Sequence, residues 1–301
     1  MESRRGVWFG LGAYVIWGFS PVYWNLIDDV DATVLLIHRI MWSVPLLAAI
    51  IAIQRRFGEV RKAFSSWRTV AITSVAAVLL ATNWGVFLWA VTHDHIVEGS
   101  LGYFINPLVS VALGVVVLGE RLRPMQWLAV GIAAVGVVGM AVMVGSPPWI
   151  ALTLAFAFGL YGLIKKRPEV PAPLISLQGE LAVMVIPALV VLVFFIEPTG
   201  QDFGDSAAIT MFLIGSGAFT ITPLLMFGAS AKRIPLSLLG LLQYIAPSLQ
   251  LVLGIWVYNE NLSLGRLLWF GVVWIALGVY TYDGIMTARR GRAQTVVSYP
   301  Y

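Results

Sequence analysis

The sequence contains no cysteine and very little charge. Of its 301 residues, 11% are charged and 59% are hydrophobic, whereas a soluble domain carries about 25% charged residues. The absence of cysteine excludes disulfides, thiolate metal sites and cysteine nucleophiles. The shortage of charge excludes a water-soluble globule, because too few polar side chains are available to cover one. We therefore predict that lipid is the solvent for most of the chain.

The sequence also lacks the motifs of membrane-embedded and nucleotide-driven enzymes. It has no His-Glu-x-x-His run, no Gly-x-Ser-x-Gly elbow and no phosphate-binding loop, and we place no aspartate deep within an apolar segment. We therefore expect no enzyme activity and no cofactor. The net charge of +4 does not indicate nucleic acid binding, because the basic residues lie in short clusters between apolar runs, where membrane topology places them.

Ten apolar segments are each long enough to cross a ~30 Å hydrocarbon core, which takes about 20 helical residues. A membrane barrel would instead show alternating segments of about ten residues. The fold class is therefore predicted to be all-α and integral to the membrane, with ten transmembrane helices. The predicted spans are residues 7–27, 33–53, 69–92, 96–118, 125–144, 148–164, 173–196, 207–230, 234–258 and 264–286.

The charged residues orient these spans. With the N-terminus in the cytoplasm, the inner segments hold every Lys and Arg, Lys165 included, except Arg39 within a span and Arg266 in an outer loop. Cytoplasmic loops are enriched in Lys and Arg, so both termini are predicted to be cytoplasmic. The outer loops hold the acidic residues Asp28, Asp29, Asp31, Asp94, Glu98, Glu197, Asp202, Asp205 and Glu260.

The two halves of the sequence are related at an offset of about 140 residues. Residues 100–120 align with residues 240–260, and Pro107 matches Pro247. Each half holds five predicted helices, an odd number, so the second half must insert inverted relative to the first. Inverted repeats are a feature of secondary transporters. The predicted domains are a first repeat at residues 1–144, an inverted repeat at 145–286 and a basic cytoplasmic tail at 287–301.

Polar and aromatic side chains within the spans are the candidates for solute contact. Such groups are costly in hydrocarbon unless they face a cavity, a partner or a substrate, and aromatic walls suit a flat or amphipathic solute. The alternative reading is packing, in the core for the aromatic residues and along helix seams for the small ones. The predicted solute-contacting residues are Tyr14, Trp17, His38, Arg39, Trp42, Asn83, Tyr103, Asn106, Tyr161, Gln243, Tyr244 and Gln250.

Charged residues within the spans suggest anion recognition and proton coupling. Arg39 is predicted to recognise an anionic group, with snorkelling or an ion pair to Glu180 or Glu98 as alternatives. His38 shares a helix face with Trp42 and could carry a proton, and an interior hydrogen bond is the alternative. Glu180 lies well inside a span and is expected to titrate or to pair with a cation. Glu180, His38 and Glu98 are therefore the candidates for proton coupling or ion pairing.

The turn at residues 92–95, Thr-His-Asp-His, brings imidazoles and a carboxylate close to Glu98. These are metal-ligand types, but solvated loop residues are far commoner. An acid in the first turn of a helix is also favoured by the helix dipole alone. No metal is predicted here.

Several runs of sequence carry a family resemblance. Among them are residues 38–43 (HRIMWS), residues 100–108 (SLGYFINPL) and residues 243–247 (QYIAP). With these runs the chain resembles, over nearly its whole length, the EamA-type drug/metabolite transporters, most closely the RarD branch of chloramphenicol-sensitivity permeases. One departure is Asn259, where the family pattern leads us to expect glycine. The resemblance implies a ten-helix, two-repeat permease of the bacterial inner membrane, and it leaves the solute open.

Repeat and resemblance together predict a secondary transporter that moves a small metabolite or drug across the plasma membrane by alternating access, with proton coupling as an option. A membrane-embedded receptor, sensor or channel for a small molecule is the alternative. The expected partners are a small-molecule solute, the lipid bilayer and, for a coupled carrier, protons. No nucleic acid partner is expected. The sequence does not determine the direction of transport or the oligomeric state.

Overall fold

The computed structural model describes residues 2–145, 148–195, 203–204, 206–259 and 264–297. Within these ranges every regular element is a helix, including one 3-10 turn at Asn25–Ile27. The α-helices are α1 (Glu2–Gly18), α2 (Ser20–Trp24), α3 (Ala32–Ile53), α4 (Phe57–Phe64), α5 (Trp67–Thr92), α6 (Ile96–Val116), α7 (Pro124–Val144), α8 (Trp149–Lys165), α9 (Pro173–Phe195), α10 (Ala207–Ala231), α11 (Leu236–Leu242), α12 (Ile245–Trp256) and α13 (Leu264–Val297).

Eight helices in the described part of the chain are long and apolar enough to cross a membrane. They are α3, α5, α6, α7, α9, α10, the combined α11–α12 and the 267–284 portion of α13. The remaining two predicted spans correspond to α1 and α8, which have 17 residues each. The prediction of a helical membrane protein is therefore confirmed, and the count of ten spans remains a prediction.

Prolines interrupt two of the predicted spans. The first is broken after α1 at Phe19, next to Pro21 in the first turn of α2. The ninth is broken at Gln243 and Tyr244, four and three residues before Pro247. Proline has no N–H and clashes with the carbonyl four residues before it. The Gln243 carbonyl instead accepts the Ala246 N–H at 3.2 Å.

The final helix and the loops also differ from the predicted boundaries. Helix α13 continues to Val297, well into the segment that we predicted as a basic tail, and residues 298–301 lie outside the described part. The short helix α4 lies in the segment between the second and third predicted spans. The outer-loop residues Glu197, Asp202, Asp205 and Glu260, and the side chain of Arg266, fall outside what the structure describes.

Helices from the two halves of the chain pack against one another throughout the bundle. α3 packs on α9 and α10, α5 on α8 and α9, α6 on α8 and α11, α1 on α10 and α12, and α7 on α13. Glycine permits the closest approaches. A Cβ at Gly217 would lie 2.7 Å from the Trp42 carbonyl carbon, and one at Gly240 would lie 2.6 Å from the Ser110 Cβ. These two glycines therefore hold α10 against α3 and α11 against α6.

A residue in the left-handed conformation follows shortly after α6 and shortly after α12. Gly119 has φ +67° and Asn259 has φ +51°, and the two positions are related by the offset of 140. Glycine adopts this conformation freely, and asparagine is among the few other residues that tolerate it. This accounts physically for the departure at Asn259.

Several helix ends meet at one end of the bundle, and the charge pattern assigns all of them to the same side of the membrane. We call this the basic end. The Glu120 carboxylate accepts the first two backbone N–H groups of α11, at 2.6 and 2.9 Å. Lys166 Nζ donates to the Ile234 carbonyl at 2.5 Å. Arg123 forms an ion pair with Asp283. This end therefore contains the loops before α7, before α9 and before α11.

The lysines of the basic end are partly desolvated. Burial lowers the pKa of Lys166, and the Glu120 carboxylate partly offsets this shift. Burial also lowers the pKa of Lys232, and the neighbouring Lys165 charge lowers it further. Lys232 Nζ donates to the carbonyls of Arg167 and Val170 at 2.6 and 2.9 Å, so backbone acceptors stabilise its charge.

Candidate solute-binding site

The guanidinium of Arg39 lies between helices in the interior of the bundle. Arg39 is the eighth residue of α3, about 11 Å along the axis from its first residue at 1.5 Å per residue. Its guanidinium carbon is 4.7 Å from the centre of the Trp24 ring and 5.1 Å from that of the Trp84 ring. Its Nε donates to the Thr220 hydroxyl at 3.1 Å. Helices α2, α5 and α10 thus converge on one cation.

Arg39 has no carboxylate partner among the described residues. The four ion pairs in that part of the chain all involve other basic residues. Glu180 pairs with Lys165, and Glu98 contacts His95, with 3.2 Å between Oε1 and Nδ1. The two ion pairs considered for Arg39 from the sequence are therefore wrong. Among the described residues, the guanidinium contacts two indole faces and one hydroxyl.

Further aromatic side chains lie near Arg39. The Tyr103 phenol on α6 interacts electrostatically with the guanidinium, and its ring lies edge-on to Phe87 at 5.4 Å. Trp24 in turn contacts Phe219, with ring centres 5.3 Å apart. We call Arg39, Trp24, Trp84, Tyr103 and Thr220 the Arg39 site. All but the buried Thr220 retain some exposed surface.

His38 and Trp42 form a second polar group on another face of α3. Trp42 Nε1 donates to His38 Nδ1 at 3.2 Å. The Phe203 ring stacks on His38 at 5.3 Å and contacts Trp42 at 5.6 Å. Adjacent helix residues point about 100° apart, so His38 and Arg39 face different neighbours.

A buried ion pair joins α8 to α9 near the basic end. Lys165 is 2% exposed and Glu180 is fully buried, and their charged groups are in direct contact. The Tyr161 hydroxyl donates to the other Glu180 oxygen at 3.0 Å, and the Ser176 hydroxyl donates to the first at 2.5 Å. Each polar side chain of this cluster therefore has a hydrogen-bond or ion-pair partner within it.

The sequence assigned Lys165 to an inner segment, but it did not predict that this lysine is buried or that it pairs with Glu180. The spacing of the four residues along the sequence could have indicated this network. Tyr161 and Lys165 are four residues apart, as are Ser176 and Glu180, so each pair shares one helix face. The sequence placed Glu180 inside a span but did not identify its partner.

Several predicted contact residues tie helices together. Asn83 Nδ2 donates to the Leu154 carbonyl of α8 at 3.0 Å. The Tyr244 hydroxyl donates to the backbone of α6 at 3.2 Å. Gln250 Nε2 donates to the Trp17 carbonyl at 3.1 Å. These bonds satisfy buried polar groups between helices.

The other predicted residues pack inside the bundle, and all of them but the partly exposed Trp17 are buried. Asn106 accepts from Ser110 one turn later, at 3.5 Å, and Gln243 is 6% exposed. Tyr14, Trp17 and Tyr161 pack around Phe227, with ring centres 5.9 to 6.4 Å away. The Tyr14 hydroxyl has no hydrogen-bond partner in the described structure. The structure therefore brings Arg39 and Tyr103 together and places the rest of the predicted set elsewhere.

Three residues of the Arg39 site, Trp24, Trp84 and Thr220, were not in the predicted set. Trp24 lies on the aromatic face of the first span, and Trp84 adjoins Asn83, which was selected. Apolar sequence does not reveal which way a buried helix is rotated, so the indole facing Arg39 could not be chosen. Thr220 lies 181 residues from Arg39 in the sequence, and no sequence pattern indicated that the two are in contact.

The turn at 92–95 is held by aromatic stacking. The rings of His93 and His95 lie 4.6 and 5.3 Å from that of Trp89. Among the described residues, no group of three or more His, Cys, Asp or Glu side chains is placed to hold a metal ion.

Comparison with known proteins identifies the class. The model of the EamA-like transporter family matches residues 4–142. A solved crystal structure superposes with a TM-score of 0.72 at 19% identity, covering 92% of this chain and 97% of its own, and shows the same fold. The protein belongs to the EamA-like transporters, membrane proteins of multiple apolar helices.

The relatives narrow this to one branch. The chain is 43% identical to protein RarD of Streptomyces exfoliatus, over 99% of this chain and 95% of the relative. It is 38% identical to protein RarD of Escherichia coli, over 96% and 98%, and 38% identical to the uncharacterized transporter YojE of Bacillus subtilis, over 97% and 98%. The chain thus belongs to the RarD branch, and the predicted resemblance is confirmed. With its apolar helices, this makes it an inner-membrane transporter.

Proposed function

We propose that the protein is a secondary transporter that carries a small metabolite or drug across the inner membrane by alternating access. The observation that carries the proposal is the Arg39 site. It contains a partly exposed cation without a carboxylate partner in the described chain, set among aromatic rings, and its residues come from both halves. Polar groups in hydrocarbon persist where they serve a substrate, a partner or a cavity, and transporter sites lie between repeats near the midplane.

Helix packing supports ten spans arranged as two inverted five-helix repeats, residues 1–144 and 145–286. In this arrangement α1, α3, α5, α6 and α7 correspond to α8, α9, α10, α11–α12 and α13. If the repeats are equivalent, each contact between the halves should have a counterpart in which both helices are replaced by their equivalents. The counterparts of α3–α10, α5–α8 and α6–α8 are α9–α5, α10–α1 and α12–α1. All six contacts are present. Two such halves can exchange conformations, which is how one site opens to each side in turn.

The basic end supports an orientation with both termini in the cytoplasm. Loops rich in Lys and Arg favour that side. The hydrogen bonds of Glu120, Lys166 and Lys232 close this end of the bundle, while the Arg39 site lies toward the opposite end of α3. The conformation described here is then one that is closed to the cytoplasm.

The residues that we propose for solute contact are Arg39, Tyr103, His38 and Trp42 from the sequence, together with Trp24, Trp84 and Thr220. Asn83, Tyr244 and Gln250 are engaged with backbone carbonyls of other helices. We assign them to the packing of the bundle in this conformation.

For proton coupling, we propose His38 rather than Glu180 as the group to test. Glu180 is occupied by Lys165, Ser176 and Tyr161. His38 Nδ1 accepts the Trp42 N–H, and a protonated imidazole has no acceptor nitrogen. Protonation of His38 would therefore break its bond to Trp42 and allow that indole to move.

The test is flux of a metabolite and drug library into proteoliposomes, at two pH gradients. The proposal predicts saturable uptake of at least one solute, with loss of uptake in Arg39→Gln. Arg56→Gln is the matched control, because Arg56 pairs with Glu59 on the exposed α4, and its uptake should equal that of the wild type. Equal uptake in empty liposomes, or full activity of Arg39→Gln, would overturn the proposal.

A further inference from the structure

We infer that the Arg39 site binds the carboxylate of an organic monoanion that has a flat, apolar body. This inference rests on the proposed transport function and names the substrate class of the same site. Three observations support it: the unused hydrogen-bond donors of Arg39, the charge of the Arg39 site and the aromatic rings near the guanidinium.

The guanidinium of Arg39 has donors left over. It carries five N–H groups, and the described protein takes only the one on Nε, through Thr220. Cation–π contact with Trp24 and Trp84 uses the charge of the guanidinium but none of its N–H groups. The terminal nitrogens therefore have donors without a described protein acceptor.

Other cations in the described part of the chain, from the buried Lys165 to the exposed Lys232, do contact oxygen acceptors. Lys165 contacts the Glu180 carboxylate, and Arg123 contacts that of Asp283. Lys166 and Lys232 each donate to two backbone carbonyls. The buried Lys165 thus has a carboxylate partner, whereas the terminal nitrogens of Arg39 have no acceptor among the described residues, and a ligand would provide one.

A carboxylate matches these donors in geometry and charge. The planar guanidinium donates two parallel hydrogen bonds to a carboxylate, which makes Arg the residue preferred for such recognition. Among the described residues, Arg39 is the charged member of the Arg39 site, so the site presents one positive charge. A monoanion neutralises it, whereas a phosphate dianion would bring a second charge into a low-dielectric site.

The aromatic rings near Arg39 suit an apolar, flat body. The Tyr103 ring contacts that of Phe87, with ring centres 5.4 Å apart. The Trp24 ring contacts that of Phe219, with ring centres 5.3 Å apart. Aromatic rings at these separations bury large areas and favour edge or offset stacking with a further ring. An aromatic acid meets the rings with its body and the guanidinium with its carboxylate.

The experiment uses four probes that share a phenylethyl body and differ in head group: 3-phenylpropionate, 3-phenylpropanamide, phenethylamine and phenethyl phosphate. The melting temperature of the purified full-length protein in detergent is followed against probe concentration, because a ligand of the folded state raises it. We expect 3-phenylpropionate to give the strongest shift. Arg39→Gln should weaken its binding about tenfold or more, since a charge-assisted hydrogen-bonded pair is lost.

Two further variants protect the result against misfolding. Arg39→Lys keeps the charge but loses the planar donor geometry, so it should bind 3-phenylpropionate with intermediate affinity. Arg56→Gln should bind like the wild type. Three outcomes would overturn the inference: no shift with 3-phenylpropionate, an amide or phosphate ester that binds as well as the acid, or unchanged affinity in Arg39→Gln.

Flux measurements separate this inference from the proposed function. If a neutral or cationic solute crosses proteoliposomes while 3-phenylpropionate neither binds nor crosses, the transport function stands and the carboxylate assignment fails. If 3-phenylpropionate binds through Arg39 but no compound is moved, the ligand class stands and the transport function fails.

Discussion

Replacing Glu180 with Gln should destabilise the folded protein, because it leaves Lys165 without a counter-ion. Lys165 is 2% exposed and Glu180 fully buried, so neither charge is compensated by water. Removing one partner of a buried ion pair costs about 3–5 kcal/mol. Lys165 could instead lose its proton, and for an ordinary lysine at pH 7 this costs about 5 kcal/mol. The two routes agree on a loss of several kcal/mol.

The pair itself should contribute much less than either single variant suggests. Replacing a whole buried ion pair by apolar residues of similar size is often neutral, or stabilising by about 1–4 kcal/mol. We therefore expect Lys165→Met and Glu180→Leu each to be destabilising, and the double variant that combines them to recover most of the loss. The interaction energy of this cycle should exceed about 2 kcal/mol, within the range for residues in one network.

The assay is reversible unfolding in mixed micelles, with thermal melting as a second readout. Glu59→Gln is the control, because Glu59 also pairs with a basic residue but on the exposed surface of α4, and no measurable change is expected there. The reasoning is refuted if the buried single variants match this control, or if the double variant is as unstable as the sum of the two singles.

Three further predictions concern backbone geometry and are read out by melting temperature. Gly217→Ala should cost about 1–3 kcal/mol by overpacking, since its Cβ would meet the backbone of α3 at 2.7 Å, whereas Gly85→Ala, with nothing within 4 Å, should be tolerated; equal effects would contradict this. Glu120→Gln should cost about 1 kcal/mol, because it weakens the cap on the first two N–H groups of α11; an unchanged melting temperature would show that the cap is dispensable. Asn259→Gly should stabilise by a few tenths of a kcal/mol up to about 1 kcal/mol, because φ is +51° there; a loss of stability would exclude strain at this position.

The helices were predictable because length and apolar composition are local properties. A run of about 20 apolar residues is read directly from the sequence, and each of the eight long helices coincides with a predicted span to within a few residues at either end. The breaks at Phe19 and Gln243 were not placed, although Pro21 and Pro247 were visible. A proline in a membrane helix gives either a kink or a break, and the choice depends on neighbours that can satisfy the freed backbone groups.

The site was predictable only in part. Arg39 stood out because a cation within a span is costly, and Tyr103 because it lies in a run that carries the family resemblance. Their neighbours did not stand out, since Trp84 and Thr220 lie on helices that are apolar all round, where the sequence does not show which face meets which helix. Lys165 was missed for a related reason: a charge near the end of a span was read as part of the adjoining loop.

The central claim is that this protein is a carrier, and counterflow tests it most directly. Proteoliposomes are preloaded with an unlabelled solute that the flux screen identifies, and uptake of the same solute in labelled form is followed from a dilute external pool. A site exposed to one side at a time predicts that label accumulates transiently above its equilibrium level, in the wild type and in Arg56→Gln but not in Arg39→Gln. Simple equilibration of the label without an overshoot would contradict alternating access and indicate a channel.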